Sequence, residues 1–363
     1  MGKLDQSQLL APSRCSDDVN ASSIGRRRTP GDDGPPKCVG AAQKILYVDN
    51  PDVSVIIQTF KDSAKNAKLL VMRLRAIPLS KDIIVNDDSH GWGSSFWVPL
   101  LTGPNEFYIS SPNLHEMRAY NRLALMARGE LLVFVQGDTC LPSSPKWMED
   151  GAQLFRMLPK LAMLSARAGF TAVLDYEMNQ TYRTNKTYGH ELKFKAIDYA
   201  LHTQSGASSD DIPIVFTPGV DNGPLFYRRD ALLRVGGFDE SYSCGAGHVA
   251  LHYDFEISLR FWIKSWQVGV YYGFATNGFG GRKSIASKKK KNDRHLNEKW
   301  NLIRVERLWN KHREMVSSSI AQSTRQHLTP IPNAREVRLS RQNLLGMQTM
   351  SQCRASRPER SLP

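Results

Sequence analysis

Short apolar runs, each closed by small polar or acidic residues, set the rhythm of the first part of the chain. Val53-Ser-Val-Ile-Ile-Gln-Thr-Phe60 is one and Asp82-Ile-Ile-Val-Asn-Asp-Asp-Ser-His90 another, while residues 131–135, Leu-Leu-Val-Phe-Val, form a third. The third has no polar interruption, which predicts a strand buried on both faces, the kind found in parallel sheets. Between the first two, residues 63–77 place Leu69, Leu70, Met72, Leu74 and Ile77 at helical spacing. Strand, helix, strand in that order is a βαβ unit. The alternation predicts an α/β fold with a mostly parallel central sheet flanked by helices.

The pattern continues past the third run. Residues 145–158 read as a helix, with Pro145 suited to its first turn and Trp147, Leu154 and Phe155 facing inward. Residues 161–165 read as a further strand. Residues 170–212 are polar, tyrosine-rich and without clean periodicity, and acceptor-binding structure is expected there by fold analogy. Residues 254–263 read as a helix carrying Phe255, Leu259 and Trp262 at apolar spacing. Residues 296–315 read as a last amphipathic helix with Leu296, Trp300, Ile303 and Leu308 on one stripe.

Composition changes the picture at the ends. Residues 1–44 are rich in Ser, Pro, Gly and charge and are expected to be disordered, as is the tail 316–363. The region 45–315 is expected to be one catalytic domain: a first half 45–142, a second half 143–280, and a basic loop with the final helix at 281–315. The net charge of +13 has a place in the chain, because residues 282–363 carry 19 Lys and Arg against 6 Asp and Glu. Residues 1–281 hold 29 of each sign and are neutral. The run Lys288, Lys289, Lys290 and Lys291 suits an anionic membrane surface or a solvated loop. It has no interleaved aromatics, so single-stranded nucleic acid is an unlikely partner. Five Cys residues without Cys-x-x-Cys spacing support neither a zinc site nor a dense disulfide framework. No apolar stretch approaches the roughly 18–20 residues that cross a bilayer. With no leader pattern at the start, the expected location is the cytoplasm or the cytosolic face of a membrane.

The candidate chemistry lies where strands end. In open α/β sheets ligands bind outside the carboxyl ends of the strands. Asp138 follows the third run directly, and Asp87 and Asp88 close the second. A carboxylate there can hold a divalent cation, and the cation a diphosphate. The plainer reading makes Asp138 and Thr139 an Asx-type turn. Two acids at one sheet edge repel each other unless a cation or a donor lies between them.

These motifs, taken in order, resemble family 2 glycosyltransferases of the GT-A fold. Val53-Ser-Val-Ile-Ile-Gln-Thr-Phe is similar to that family's opening strand, and Ile83-Ile-Val-Asn-Asp-Asp-Ser to its second strand, whose acidic pair contacts the nucleotide base. Arg118-Ala-Tyr-Asn-Arg-Leu-Ala-Leu-Met-Ala-Arg-Gly-Glu130 is similar to the helix leading into the metal motif, and Phe134-Val-Gln-Gly-Asp-Thr-Cys-Leu-Pro142 to the motif itself. Gln136 stands where the usual Asp-x-Asp has its first acid. Gly223-Pro-Leu-Phe-Tyr-Arg-Arg-Asp-Ala-Leu-Leu-Arg-Val-Gly-Gly-Phe-Asp-Glu240 resembles the acceptor-side segment. His252-Tyr-Asp-Phe-Glu-Ile-Ser-Leu-Arg260 resembles the family's acidic helix, with Tyr253 in place of a Glu.

The resemblance implies a Rossmann-like GT-A domain that transfers a sugar from a nucleotide-diphosphate sugar, a UDP-sugar favoured, to a glycan, lipid or protein acceptor. It implies inversion and a Mn or Mg ion held by Asp138. It makes Asp254 the catalytic base, with Thr59, Asp87, Asp88, Gln136 and Arg260 on the donor and Asp239, Glu240 and Glu256 on the acceptor side. For Arg260 the alternative is an ion pair with an acid one turn back. Trp92 and Trp97, in the loop 89–104, are open to ligand stacking or to ordinary packing. Two rival readings stand beside this one. One is a weak or inactive relative that binds nucleotide or glycan. The other is a basic interaction protein that acts through its C-terminal tail. A dinucleotide oxidoreductase is disfavoured, since no Gly-x-Gly-x-x-Gly follows the first strand.

Overall fold

The computed structural model describes residues 51–60, 67–112, 114–137, 139, 141–166, 169–170, 199–201, 211–220, 224–242, 252–271 and 288–331, with backbone alone at 169–170, 199–200 and 288–299. All of them belong to the unit Leu46–Pro363. The expectations for residues 1–44, for most of 170–212 and for the side chains of Lys288 to Lys291 lie outside the described residues.

The first βαβ unit forms as the pattern predicts: β1 (Val53–Thr59), α1 (Ala67–Arg75), β2 (Lys81–Asp87). The buried face of α1 is Ala67, Leu70, Val71 and Leu74, while Met72 is exposed. The loop after β2 contains a single turn, α2 (Ser94–Trp97), and leads to an edge strand, β3 (Glu106–Ser110). Then come α3 (Glu116–Met126), β4 (Leu131–Gln136), α4 (Lys146–Met157), β5 (Leu161–Ser165) and β6 (Gly169–Phe170). The second half holds β7 (Tyr199–Leu201), β8 (Ile212–Phe216), β9 (Gly219–Val220), β10 (Leu225–Arg228), α5 (Arg229–Arg234), α6 (Tyr253–Ile263), β11 (Gln267–Tyr271), α7 (Lys288–His327) and β12 (Thr329–Pro330).

Among the described residues these strands build a ten-stranded sheet in the order β12-β7-β8-β11-β5-β10-β4-β1-β2-β3, with β6 and β9 paired apart from it. From β3 through β2 and β1 to β4 every pairing is parallel, as the buried runs predict. The sheet as a whole is mixed. β10 lies antiparallel between β4 and β5, and beyond the parallel β5–β11 pair the strands β8, β7 and β12 are antiparallel again.

Central strands are buried on both faces, and residues 131–135 of β4 are all buried. Two glycines mark close approaches. A Cβ on Gly129, ahead of β4, would stand 2.5 Å from the Ser54 backbone nitrogen, and one on Gly151 of α4 would stand 2.6 Å from the Phe226 ring. Phe226, on β10, packs edge-on against Trp147 and Tyr271 at 5.7 and 5.9 Å.

The last helix departs from expectation. It begins at Lys288, so the lysine run opens a helix rather than lying in a loop; lysine has good helix propensity. It ends at His327, past position 315 and into the segment expected to be a disordered tail. Among its described side chains, 300–327, the buried ones are Asn301, Val305, Trp309, Val316 and Ser323. Trp300, assigned to the inward stripe, is 56% exposed. The true stripe is offset by one position, and it is too sparse and too polar for periodicity to reveal.

Candidate functional site

Three parallel strands end together at one edge of the sheet. Thr59 of β1 is opposite Asp87 of β2, and Gln58 is opposite both Asn86 and Gln136 of β4. The Asn86 amide donates to Gln58 Oε1 at 2.8 Å, across the strand ends. Beyond β4 the Gly137 N–H donates to the Gln58 carbonyl at 2.8 Å and the Thr139 N–H to the Gln136 carbonyl at 2.9 Å. Asp138, the expected metal ligand, lies outside the described residues.

Asp87 and Asp88 are both buried, and each has its own set of donors. Asp87 accepts from the Ser89 N–H at 3.1 Å and from the Ser89 hydroxyl, and on its other oxygen from the Gly93 N–H at 2.7 Å and the Tyr108 hydroxyl at 2.8 Å. Burial, and then this bond, raise the Tyr108 pKa, so the hydroxyl remains a donor. The effect is to gather the loop 89–97 against β3. Trp97 is then fully buried and Trp92 is left exposed, so packing is the role of the first. Asp88 accepts from the Ser111 hydroxyl at 2.6 Å, the Leu114 N–H at 2.6 Å and the His115 N–H at 2.8 Å. His115 is the N-cap of α3, with a positive φ of 67°. Repulsion between the two acids is therefore met by donors. Both carboxylates shape the loop and the helix start.

The placement of α3 puts Glu116, a residue the sequence reading passed over, at the end of β4. Its Oε1 accepts from the Tyr120 hydroxyl at 2.9 Å and from the Tyr253 hydroxyl at 3.4 Å, and Gln136 Nε2 stands 3.5 Å away. The only signal in the sequence is an acid in the first turn of a helix, a common and unspecific feature. Beneath it lies an aromatic cluster: Phe134 sits 4.4 Å from Tyr120, 5.4 Å from Tyr227 and 5.8 Å from Phe238, and Tyr253 is 5.8 Å from Phe238. Burial first, and then the charges of Asp254 and Glu116, push the pKa of Tyr227 well up; Tyr253 is shifted the same way by burial and then by Glu116.

Helix α6 brings the remaining residues. Asp254 and Glu256 are buried in its first turn. Asp254 accepts from the Phe255 N–H at 3.0 Å, and its carbonyl accepts from the Ser258 hydroxyl at 2.6 Å. Arg260 pairs with Glu256 at 2.6 Å, the ion pair its spacing allows, and donates to the carbonyls of Val235 and Gly237 at 2.8 and 2.7 Å. With both terminal nitrogens donating to backbone carbonyls and the Glu256 carboxylate beside it, this guanidinium ties α6 to the turn at 235–237. Burial raises the Glu256 pKa against the pull of Arg260. Burial also lowers that of His252, the N-cap of α6, to about 4.

Asp239 and Glu240, expected on the acceptor side, are tied into the fold as well. Asp239 accepts from Arg304 of α7 at 2.6 Å and from the Ser241 N–H at 2.9 Å. Burial acts to raise its pKa, but the Ser241 bonds and the Arg304 charge outweigh this and hold it below the usual value. Glu240 accepts from Asn121 at 3.1 Å and pairs with Arg118 at 3.5 Å. Asn121 also exchanges hydrogen bonds with the Phe238 backbone, donating at 2.9 Å and accepting at 2.8 Å. Positions 236 and 237 have positive φ, and a Cβ on Gly237 would meet Asn121 Oδ1 at 2.6 Å, so glycine is required there.

Among the described residues no group of three or more His, Cys, Asp and Glu side chains can hold a metal ion, and no helix is long and apolar enough to cross a membrane. No family model and no curated protein matches the chain. Among solved structures, it is similar to the mannosyltransferase PcManGT from Pyrobaculum calidifontis, solved with GDP-Man and Mn2+, at 14% identity and a TM-score of 0.43, over 86% of this chain and 84% of that one. It is similar to residues 1–349 of S. aureus TarS at 13% identity and a TM-score of 0.41, over 80% of this chain and 91% of that one. A longer TarS structure is matched at 14% identity and a TM-score of 0.39, over 60% of this chain and 35% of that one. Scores of this size record a likeness and carry no argument about what the chain does.

Proposed function

We propose that the chain is a GT-A glycosyltransferase that moves a sugar from a nucleotide-diphosphate sugar, a UDP-sugar by preference, to the hydroxyl of a glycan, lipid or protein acceptor, with inversion. One observation carries the reading. β1, β2 and β4 end in register at a single edge, and Glu116 links that edge to the first turn of α6, where Asp254 lies beside Tyr253. The ordered motifs of the sequence support it.

In the proposed reaction the acceptor oxygen forms a bond to the anomeric carbon as the bond from that carbon to the diphosphate oxygen breaks. The acceptor proton passes to Asp254. Thr59 lines the base pocket, and Asp87 and Asp88 act on the nucleotide through the loop and helix they position. The donor atoms at the strand ends are oxygens, which suit a hard cation such as Mg2+ or Mn2+. Asp138 and the Gln136 amide oxygen would hold it, with nucleotide oxygens completing the shell. Such a cation, when bound, would stabilise the charge on the leaving diphosphate as a Lewis acid. Lys288 to Lys291 stand in the first turn of a helix, where the macrodipole disfavours cations. An anionic membrane surface would relieve that conflict and is the partner proposed for them.

A donor screen with UDP-, GDP- and dTDP-sugars and Mg2+ or Mn2+, read by hydrolysis and thermal shift, tests the function. Asp254→Asn should retain donor binding and lose transfer, the signature of an interaction made only in the transition state. Asp138→Asn should lose metal-dependent nucleotide binding. Transfer at the wild-type rate by Asp254→Asn would move the base elsewhere. The presence of Gln136 and Tyr253, neither an acid, favours a second reading: nucleotide binding without turnover. Donor binding with no transfer to any acceptor would select it.

A further inference from the structure

We propose that Glu116 is the acid of this site that positions 136 and 253 do not supply, acting as a positioning residue that fixes the Gln136 amide and the Tyr253 hydroxyl at the end of β4. The inference rests on the glycosyltransferase reading above and deepens it.

Three side chains from three elements converge on one oxygen of Glu116: Tyr120 of α3, Tyr253 of α6 and Gln136 of β4. An ionised carboxylate only accepts hydrogen bonds. The Gln136 amide must therefore turn its nitrogen toward Glu116 and its carbonyl oxygen away. At 3.5 Å the contact is long, and charge on the acceptor strengthens it. A glutamine held this way presents a neutral oxygen where an aspartate would present a charged one, and the negative charge stands one residue behind it.

The position of Glu116 is itself built. Asp88 receives the Leu114 and His115 N–H groups and so fixes the start of α3. The first turn of that helix favours an anion. A second feature points to the same place. The Tyr227 hydroxyl is fully buried, the charges of Asp254 and Glu116 add to burial in raising its pKa, and it has no hydrogen-bond partner among the described residues. An unpartnered donor in the aromatic cluster under Glu116 is the kind of group that a bound ligand would satisfy.

The test is Mn(II) binding in the presence of UDP or GDP, followed by electron paramagnetic resonance on the full chain. Four proteins are compared: wild type, Glu116→Gln, Tyr253→Phe, and the exchange pair Glu116→Gln with Gln136→Glu. Glu116→Gln should weaken Mn(II) binding about tenfold, the size usual for a residue that orients a metal ligand, and the exchange pair should return to within about threefold of wild type. In that pair the hydrogen bond is kept with its polarity reversed and the charge moves to the ligand position, a rescue that a residue needed only for folding would not give. Tyr253→Phe should show a smaller loss, and it carries the test with the exchange pair if Glu116→Gln fails to fold. Unchanged affinity in Glu116→Gln, or an exchange pair as weak as the single variant, overturns the proposal while leaving the glycosyltransferase reading intact. A wild-type protein that takes up no Mn(II) with either nucleotide would bring down both.

Discussion

His252 precedes α6 with φ at 67°, and its Nε2 is buried even though the residue keeps some exposed surface. Burial holds its pKa at about 4, below the model-peptide 6.5. The unfolded chain therefore takes up a proton near pH 6.5 that the folded chain refuses until about pH 4. The contribution to stability is complete above that window and is lost as pH falls through it, by at most roughly 3 kcal/mol. Denaturant melts at pH 7, 5.5 and 4.5 should display this fall, and His252→Gln should flatten it; an identical slope in the variant would assign the acid sensitivity to other groups. The same scale sets what the sequence could reveal. Asp87, Asp88 and Asp254 stand next to apolar runs and draw the eye. Glu116 and Asn121 act through partners distant in sequence, Tyr253 and the Phe238 backbone, and no local pattern announces such a pairing.

At the level of elements, legibility follows burial. β1, β2, β4, α4, β5 and α6 are apolar runs or stripes bounded by polar residues, and all were readable. β3 is an edge strand of half-buried residues, β8 contains Pro213, and β10 has only four residues. The end of α7 was hidden by its Ser- and Gln-rich composition. There Val316 and Leu328 are buried, Gln267 donates to Ser323 at 3.0 Å, and β12 pairs with β7. A chain ended after Met315 should lose roughly 3–5 kcal/mol, from the burial of two aliphatic side chains and a buried hydrogen bond. Thermal melts of the two lengths measure this, and equal melting temperatures would return the segment to the status of a dispensable tail. Deleting 316–363 therefore does not isolate the tail's role, whereas neutralising Lys288 to Lys291 leaves these contacts in place.

Across the described residues, β10 joins in the sheet the strands that end at the site to those that follow. Phe226→Ala should cost about 3–5 kcal/mol, and calorimetry should show one lowered transition for the whole unit. A variant melting in two steps would mean that the halves are independent bodies. The insertion also bears on how the chain is made. β4 ends at Gln136 and its neighbour begins at Leu225, about 90 residues later. At the ordinary pace of translation that is roughly 5–20 s during which an apolar strand has one open edge. The half of the sheet that holds β1, β2 and β4 is thus present on the ribosome well before it is complete. In that interval β4 is exposed to wrong partners, and a chaperone that covers strand edges would act on this chain before its last third is synthesised.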